Sequence, residues 1–406
     1  MGNAINTQVE KFLKAHNFFV EVEGLEKLDQ LEILKSGSAN LGQVSEGKKI
    51  IVIDAGGTNF RSCLVEKKAG GELEISDFQK TSMPAIDREL SKREFYFQIA
   101  RNIERLKNKS DTISFCFSYA MQIVGDDARI LRFSKEVKAP EAVGTYVCHE
   151  LKKALIIQGW SPSVKIHILN DTAALLLSGC ALDSKKWGGH VAFILGTGMN
   201  SAYVANSEIV VTECGMLNDV VQSDFDKAVD ENSTNPGKSL LEKMCSGAYI
   251  GQIAYKMLLT ACEEGLLSKQ IFRCHPICAG MTAADFDGFF ADDNTSTSSL
   301  QEVAAYGSIN DRQVIEELLQ KLIERAAYIC SNAIISAVKH SDTTSDLAPL
   351  CISCNGSTFW KTPHLTQLVE TCLKKKLDRR FELVQTENDI TAGSFVAAFI
   401  QSASNA

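Results

Sequence analysis

Two short glycine turns, each placed between strand-like segments, constrain the fold of this chain more than any other feature. In the first, an apolar run at 50–53 leads into Asp-Ala-Gly-Gly-Thr-Asn at 54–59 and then into a second, alternating segment. In the other, a segment at 190–195 that is typical of a buried strand precedes Gly-Thr-Gly-Met-Asn at 196–200. One such turn is weak evidence, because tight hairpins need glycine anyway. Both turns combine backbone that approaches an anion closely with a hydroxyl donor, so the pair predicts a clamp for the phosphates of a nucleotide.

Segments typical of strands alternate with segments typical of helices along the chain. Three further apolar runs, at 113–119, 165–169 and 348–353, each lead into a polar or glycine-containing turn. Helical stretches are expected at 238–260 and 312–340. This alternation predicts an α/β fold, in which ligands bind beyond the carboxyl ends of the strands. A chain of 406 residues, at roughly 150 residues per domain, predicts two or three domains.

Three familiar motifs are incomplete in this sequence. Gly-Lys-Ser at 237–239 resembles the end of a P-loop, but that motif needs glycine where Asn232 stands. A strand-like segment follows the first glycine turn where the Rossmann fingerprint requires a helix, which argues against hydride transfer. His-Glu at 149–150 begins a zincin-like sequence, but Lys153 occupies the position of the second histidine. Metalloprotease chemistry is therefore excluded.

The charge balance and the cysteine usage set the expected compartment and partners. Forty-two basic and fifty acidic residues give a net charge of −8, which argues against a broad nucleic-acid surface. The longest apolar stretch, at 173–182, has about half the length that a bilayer span requires. Thirteen cysteines in a long chain without a signal-like opening segment are expected to be free thiols in a reducing cytosol. We therefore expect a cytoplasmic protein without nucleic-acid or membrane partners, and the oligomeric state stays open.

Several motifs, in order along the chain, resemble those of eukaryotic-type hexokinases, which belong to the sugar kinase, actin and heat-shock ATPase superfamily. The matching segments are the first phosphate motif at 54–61, the sugar-site strand at 115–118, the Thr-Lys pair as Ser134-Lys135, the catalytic turn at 170–172, the second phosphate motif at 196–200, the Glu-Trp-Gly segment within 212–215, the stretch 230–243 and the adenosine motif at 355–357. The resemblance covers roughly residues 48 to 402 and contains one set of motifs, so the chain is identified as a single hexokinase unit.

The resemblance implies an α/β fold of two ribonuclease-H-like, or actin-like ATPase, domains around an inter-domain cleft. It assigns residues 48–169 and 391–406 to a small domain, and residues 1–47 and 170–390 to a large domain. The sugar is expected to bind in the cleft, which closes around it.

The implied activity is that of an ATP:hexose 6-phosphotransferase, which uses ATP and Mg²⁺ to convert a hexose to hexose 6-phosphate and ADP in the first step of glycolysis. The resemblance assigns Asp171 as the base that takes the proton of the attacking hydroxyl, and Lys135 as a cation beside the transferred phosphoryl group. Chemistry agrees, because phosphoryl transfer needs an oriented hydroxyl and compensation of developing negative charge. Glucose is the expected hexose, with mannose and fructose as further candidates.

The remaining site residues follow from the same resemblance. Eight residues match hexose-binding positions: Ser118, Ser134, Lys135, Asn170, Asp171, Asn200, Glu213 and Glu242. Ten match positions that contact the nucleotide: Asp54, Gly56, Gly57, Thr58, Asn59, Arg61, Thr197, Gly198, Gly356 and Ser357. Asp54 is also implied to hold Mg²⁺ through water. Amides and carboxylates suit a polyol, because any hydroxyl without a partner would leave a buried polar group unpaired.

Four positions depart from the family pattern. Ala120 stands where the family usually has proline, Ser134 replaces threonine, Cys214 replaces tryptophan and Asn355 replaces aspartate. Ser134 keeps the hydroxyl. The loss of an aromatic ring at Cys214 predicts a larger or looser sugar pocket, so the preferred hexose stays open.

Two other functions compete with this interpretation. One is a catalytically weak sugar-binding regulator that keeps the fold and the cleft, against which the retention of Asp171, Lys135 and both glycine turns argues. The other is an amino-sugar or bacterial-type sugar kinase with the same superfamily core. Some of those kinases carry a cysteine-rich zinc motif, and this sequence has nothing comparable.

Overall fold

The structure is a computed structural model with side chains. It describes residues 2–19, 34–38, 46–56, 59–69, 72–133, 137–181, 186–206, 208–271, 280–290, 299–342 and 347–404. Four residues that the sequence analysis assigns to the site lie outside these ranges: Gly57, Thr58, Ser134 and Lys135.

Strands and helices alternate, as the sequence predicts. The strands are β1 (Leu34–Ser38), β2 (Lys49–Ala55), β3 (Asn59–Lys67), β4 (Leu73–Ser82), β5 (Thr112–Phe117), β6 (Met121–Val124), β7 (Asp127–Ile130), β8 (Lys165–Leu169), β9 (His190–Leu195), β10 (Met199–Ala205), β11 (Glu208–Val211), β12 (Leu350–Asn355) and β13 (Phe381–Val384). The α-helices are α1 (Gly2–Ala15), α2 (Lys92–Asn102), α3 (Val147–Ile157), α4 (Asp171–Ala181), α5 (Asp224–Glu231), α6 (Leu240–Lys243), α7 (Ile250–Glu263), α8 (Ala283–Phe290), α9 (Ser299–Ala305), α10 (Ile309–His340), α11 (Ser357–Lys361), α12 (Leu365–Lys376) and α13 (Asp389–Ser404). The α/β class is confirmed.

The smaller sheet has the strand order β4-β3-β2-β5-β8. Strand β3 pairs antiparallel with both β2 and β4, whereas β2, β5 and β8 run parallel. Every residue of β5 is buried. A continuous apolar run of this kind is typical of a parallel strand that is covered on both faces.

The larger sheet has the order β1-β11-β10-β9-β12-β13. The second glycine turn joins β9 to β10 as an antiparallel hairpin, and β12 adds to β9 in parallel. The long helix α10 packs against β9 and β10 and against α1, α7 and α12. Its first turn carries a capping box, in which Ser308 and Asp311 bond each other's backbone N–H groups. This sheet and these helices enclose the largest apolar core.

Helices α4 and α13 fill the space between the two sheets. Helix α13 packs against β2, β5 and β8, whereas α4 packs against β9, β10 and β12. The two helices also pack on each other, and the carbonyl of Ala174 lies so close to Gly393 that a Cβ there would collide with it. The core around them draws residues from both sheets, including Ile50 and Ala192. The two halves of the molecule therefore share one apolar layer.

Among the described residues, no helix is both long enough and apolar enough to cross a membrane.

Candidate active site

A cavity of about 850 Å³ lies where the ends of β2, β5 and β8 face those of β9 and β10. Twelve of the eighteen predicted site residues line it: Asp54, Gly56, Asn59, Arg61, Ser118, Asn170, Asp171, Thr197, Gly198, Asn200, Glu213 and Glu242. The other described residues of the wall are Tyr119, Ala120, Arg132, Phe133, Ile194, Gly196, Met199, Gly215, Met216, Thr234, Asn235, Lys238, Ser239, Ala248, Tyr249, Asn355 and Ile390. The predicted residues therefore meet around one cavity.

Parallel strands of the smaller sheet deliver one group of these side chains. Asp54 lies near the end of β2 and pairs in register with Cys116 of β5. Ser118 follows β5 and its backbone N–H donates to the carbonyl of Ala55 at 3.1 Å. Asn170 follows β8 directly. Because the carboxyl ends of parallel strands meet at one edge of a sheet, these residues converge there.

Asp171 begins helix α4 at this edge. Its Oδ1 accepts hydrogen bonds from the backbone N–H and the hydroxyl of Thr172, at 2.7 and 3.2 Å. Burial raises the pKa of Asp171 above its ordinary value, and the nearby Asp54 carboxylate adds to this, whereas the Ser118 hydroxyl opposes it by a hydrogen bond. A carboxylate with a raised pKa at a cavity wall suits a general base.

Asn170 is held in place by the same turn. Its Oδ1 accepts from the backbone N–H of Thr172 at 2.8 Å, and its side chain is buried. Both hydrogens of its Nδ2 are without a described partner, and the residue lines the cavity. It is therefore positioned as a donor towards a ligand.

The larger sheet contributes an amide and two carboxylates. Asn200, on β10, donates from Nδ2 to Oε1 of Glu213 at 3.0 Å, and its Oδ1 accepts from the backbone N–H of Ser201 at 2.8 Å. Burial raises the pKa of Glu213 to about 7, and the bond from Asn200 opposes the rise. The backbone of Glu213 is left-handed, with φ +49°. This turn aims the carboxylate at the cavity.

Glu242 lies on α6, directly behind the second glycine turn. Its Oε2 accepts from the backbone N–H of Met199 at 3.2 Å, and burial raises its pKa. A Cβ at Gly198 would lie 2.6 Å from that oxygen. The glycine is therefore required for the close approach of the turn and the carboxylate.

The antiparallel pairing of β2 and β3 places Asp54 and Arg61 side by side. Arg61 Nη1 donates to Asp54 Oδ2 at 2.7 Å, and the Asp54 side chain is largely buried. Burial raises the pKa of Asp54, and the charge of Arg61 opposes the rise. The hydroxyl of Tyr119 donates to the carbonyl of Gly56 at 3.0 Å and fixes the turn against the cavity wall.

The residues present fit Mg²⁺ that is shared with a nucleotide. Asp54 Oδ1 has no described partner and belongs to a cavity-lining carboxylate. No group of three or more metal-binding side chains occurs in the described part of the chain. Magnesium typically takes one or two carboxylates and keeps water and phosphate oxygens in its shell, so a single aspartate suffices here.

The second glycine turn is fixed from behind by main-chain contacts. The carbonyl of Gly196 accepts from the backbone N–H of Gly247 at 2.8 Å and from the hydroxyl of Thr358 at 2.9 Å. Gly356 has φ +115°, and a Cβ there would collide with the carbonyl of Leu195. Gly356 therefore packs directly behind this turn, and neither Gly356 nor Ser357 lines the cavity.

Sequence reasoning gave no site role to Arg132 or Asp389, and it placed Asn355 in the adenosine motif. Asn355 lines the cavity, and its Nδ2 donates to both carboxylate oxygens of Asp389, at 2.9 and 2.8 Å. Arg132 lines the cavity opposite Glu213 and Glu242. The position of Arg132, two residues before the Ser134-Lys135 motif, was the available signal for it.

Cys214 was expected to enlarge the sugar pocket. Its side chain is fully buried in the core of the larger sheet and does not line the cavity, whereas Ala120 does. The side chain at position 214 therefore belongs to the core and not to the cavity wall, and a larger sugar pocket stays a prediction.

Known proteins resemble this chain over nearly its whole length. A family model described as hexokinase matches residues 3–181 and a second, also described as hexokinase, matches residues 190–400. The chain is 25% identical to hexokinase-2 of Solanum tuberosum over 423 residues, covering 93% of this chain and 83% of that protein. It is 26% identical to hexokinase-3 of Mus musculus over 361 residues, covering 82% of this chain and 39% of that protein. The chain thus spans about two fifths of the mouse relative's length.

A solved structure agrees with the fold. The hexokinase from Schistosoma mansoni complexed with glucose superposes with a TM-score of 0.78 at 21% identity, over 98% of this chain and 99% of that chain. This match confirms the expected fold of two actin-like ATPase-type α/β units. With both halves matched by the same family, the chain belongs to the hexokinase family.

Proposed function

We propose that this protein transfers the γ-phosphoryl group of ATP to the 6-hydroxyl of a hexose, with glucose as the first candidate, giving hexose 6-phosphate and ADP. Family membership supports phosphorylation of a sugar. The observation that carries the proposal is the position of Asp171, a carboxylate with a raised pKa between a polar wall and two glycine turns.

The polar wall suits a neutral polyol. Asn170, Asn200, Glu213 and Glu242 present amide and carboxylate groups to one cavity. Each hexose hydroxyl donates one hydrogen bond and accepts others, so such a wall satisfies several hydroxyls at once. The glucose complex of the Schistosoma mansoni hexokinase supports glucose as the first sugar to test. Mannose and fructose follow as further candidates.

Asp171 is the proposed base. It accepts the proton of the 6-hydroxyl as the hydroxyl oxygen bonds to the γ-phosphorus, and the bond from that phosphorus to the bridging oxygen of ADP breaks. Burial keeps the pKa of Asp171 above that of an exposed aspartate, which increases its capacity to take a proton. Proton transfer of this kind contributes a factor of roughly 10² to 10⁴ in rate.

The glycine turns are the proposed phosphate site. Gly56, Thr197 and Gly198 line the same cavity as Asp171. Asp54 would hold Mg²⁺ together with the phosphates, and the ion would supply positive charge against the charge that develops on them. Lys135, which lies outside the described residues, is proposed to add a second positive charge there.

The cavity lies between the two sheets, which supports closure of two domains around the sugar. We propose the boundaries 48–169 with 391–406 and 1–47 with 170–390 for these domains. A cytoplasmic location and a role in the first step of glycolysis are part of the same proposal.

The test is ADP release from ATP and Mg²⁺ with glucose, mannose, fructose and N-acetylglucosamine, for the wild type and for Asp171→Asn. We expect turnover with a neutral hexose and a loss of at least ~10² in kcat for the variant, with hexose affinity retained. Equal turnover in the variant would exclude Asp171 as the base. Hexose binding without turnover in the wild type would favour a sugar-binding regulator.

A further inference from the structure

The guanidinium of Arg132 is a cation on the cavity wall that makes no hydrogen bond or ion pair with any described residue. Two other cations line the cavity among the residues that the structure describes, and both differ from it. Arg61 is paired with Asp54 at 2.7 Å, and Lys238 is exposed at the rim. Arg132 is only partly exposed. A partly buried arginine whose guanidinium makes no hydrogen bond to the protein has five N–H donors available to a ligand.

Contacts of the residues next to Arg132 fix the position of its Cα atom, from which the side chain extends. The N–H of Leu131 donates to the carbonyl of Ala120 at 2.9 Å, so this segment lies along the strand end that carries Ser118. The next residue, Phe133, stacks edge-on against Tyr119, with ring centroids 5.2 Å apart. Phe133 makes a similar contact with Phe95. The residues on both sides of Arg132 therefore hold it at the end of the cavity that Glu213 and Glu242 line, here called the sugar end.

Two carboxylates face Arg132 across the cavity. Its charge lowers the pKa values of both Glu213 and Glu242, which burial raises. Neither carboxylate forms an ion pair with it at 4.0 Å or less among the described contacts. The charge of the guanidinium therefore attracts both carboxylates without direct contact. The space between this donor and these acceptors can accommodate a hydroxyl group that forms hydrogen bonds with both sides.

Apart from Arg132, few described side chains at the sugar end can donate a hydrogen bond to a ligand. Asp171, Glu213 and Glu242 only accept when they are ionised. Asn200 has already given one amide hydrogen to Glu213. Without Arg132, the described amides offer few donors for the oxygens of a hexose, each of which accepts hydrogen bonds as well as donating them.

We propose that Arg132 is a hexose-binding residue, whose guanidinium donates to the hydroxyl oxygens that Glu213 and Glu242 bind through their hydrogens. This inference rests on the proposed function, because it names a further contact to the same sugar. Three carboxylates surround one described cation at this end of the cavity, so the ligand is a neutral hexose and a sugar acid is repelled.

The test compares Arg132→Gln with Arg129→Gln. Arg129 is an exposed arginine on β7, three residues earlier, and serves as the matched control. Glucose affinity is measured by titration, and KM and kcat are measured for glucose and ATP. We expect Arg132→Gln to raise the dissociation constant and the KM for glucose by about 10- to 100-fold, as for hydrogen bonds from a charged donor. The KM for ATP and all constants of Arg129→Gln should stay within about twofold of the wild type.

Monodeoxy glucoses identify the hydroxyls concerned. A deoxy sugar that lacks the hydroxyl bound by Arg132 should lose a larger factor in affinity for the wild type than for Arg132→Gln, in which only the carboxylate contact to that hydroxyl is left to lose. If every deoxy sugar loses the same factor with both proteins, Arg132 contacts no hydroxyl and the proposal is wrong. Unchanged glucose affinity in Arg132→Gln would overturn it as well.

The outcomes separate this inference from the proposed function. Wild-type protein that phosphorylates glucose together with an Arg132 variant that binds glucose normally would refute only the role of Arg132. Wild-type protein that binds glucose without turnover would refute the kinase, while the titrations still decide on Arg132. Protein that binds no hexose would refute both. Arg132→Lys, which keeps the charge, replaces Arg132→Gln if thermal unfolding shows that the latter is unfolded.

Discussion

At the scale of single residues, Glu213 shows how burial sets a chemical property at the site. Burial raises the pKa of its carboxyl group to about 7. The hydrogen bond from Asn200 and the charge of Arg132 lower this pKa, whereas the charges of Asp171 and Glu242 raise it. Near neutral pH the group is therefore divided between an accepting and a donating form. The carboxyl group of Glu213 therefore titrates close to neutral pH.

The pKa of Glu213 predicts a pH dependence of stability. The folded protein keeps a proton on this carboxyl that the unfolded chain releases above its ordinary pKa of 4.5. The free energy of unfolding contributed by Glu213 therefore falls as the pH rises from 4.5 to about 7. Glu213→Gln removes this contribution, so the variant should gain about 1–3 kcal/mol relative to the wild type between pH 5 and pH 8.

Urea unfolding of both proteins across this pH range is the measurement. Other carboxyls with raised pKa values, such as Asp171 and Asp389, titrate in both proteins, so the difference between the two isolates Glu213. A difference that stays constant with pH would contradict the expected titration.

Residues at strand ends were predictable from the sequence, and residues placed by distant contacts were not. Asp54 and Asn170 follow apolar runs directly, so their position at the sheet edge follows from the chain itself. Asn355 was noted as part of the adenosine motif and as a departure from the family pattern. The structure supplies its partner, Asp389, which is 34 residues away and 4% exposed. A single sequence does not indicate that these two residues meet.

At the scale of elements, the same distinction applies to helices. The expected helix at 312–340 is present as α10, because an uninterrupted apolar pattern buries one face along its whole length. The expected helix at 238–260 is wrong as one element, since it divides into α6 and α7. Gly247, in the interruption, donates its N–H to Gly196 at 2.8 Å. This tertiary contact with the glycine turn outweighs local helix propensity, and periodicity does not reveal it.

The contact of Gly247 with Gly196 predicts that position 247, behind the second glycine turn, does not tolerate a larger side chain. A Cβ there would lie 2.8 Å from the carbonyl of Gly196 and would collide with the hydroxyl of Thr358. Gly247→Ala is expected to lower the free energy of unfolding by about 1–3 kcal/mol, as overpacking does. If the turn holds phosphates, the KM for ATP should also rise several-fold, with less effect on hexose affinity.

Gly280→Ala is the matched control, because a Cβ at that glycine would meet nothing within 4 Å. Thermal unfolding and steady-state kinetics of both variants test the prediction. Equal stability and equal ATP dependence for the two variants would show that the turn tolerates displacement.

At the scale of the whole molecule, the contact between α4 and α13 joins the two sheets. Ser114 on β5 donates from its hydroxyl to the carbonyl of Ser394 at 2.6 Å, and both residues are fully buried. Gly393 allows the neighbouring helices to touch backbone to backbone. The apolar layer around them contains side chains from both halves of the chain.

The shared layer predicts that the two halves unfold together. Gly393→Ala forces α13 away from the carbonyl of Ala174 and should lower the midpoint of thermal unfolding by several degrees. Differential scanning calorimetry should give one transition for the wild type and for the variant, with the calorimetric and van't Hoff enthalpies in agreement. Two resolved transitions in the wild type would show that the halves are independent.

The position of α13 also bears on how the molecule is made. The strands β2, β5 and β8 are complete at residue 169, but the helix that covers them begins at residue 389. During synthesis on a ribosome, one face of this sheet therefore stays without the helix that packs on it while more than 200 further residues are added. Asp54 and Asp171 both stand at the edge of that sheet. The edge that carries Asp54 and Asp171 therefore gains the packing of α13 only after residues 389–404 have been synthesised, when the strands of the larger sheet have already been made.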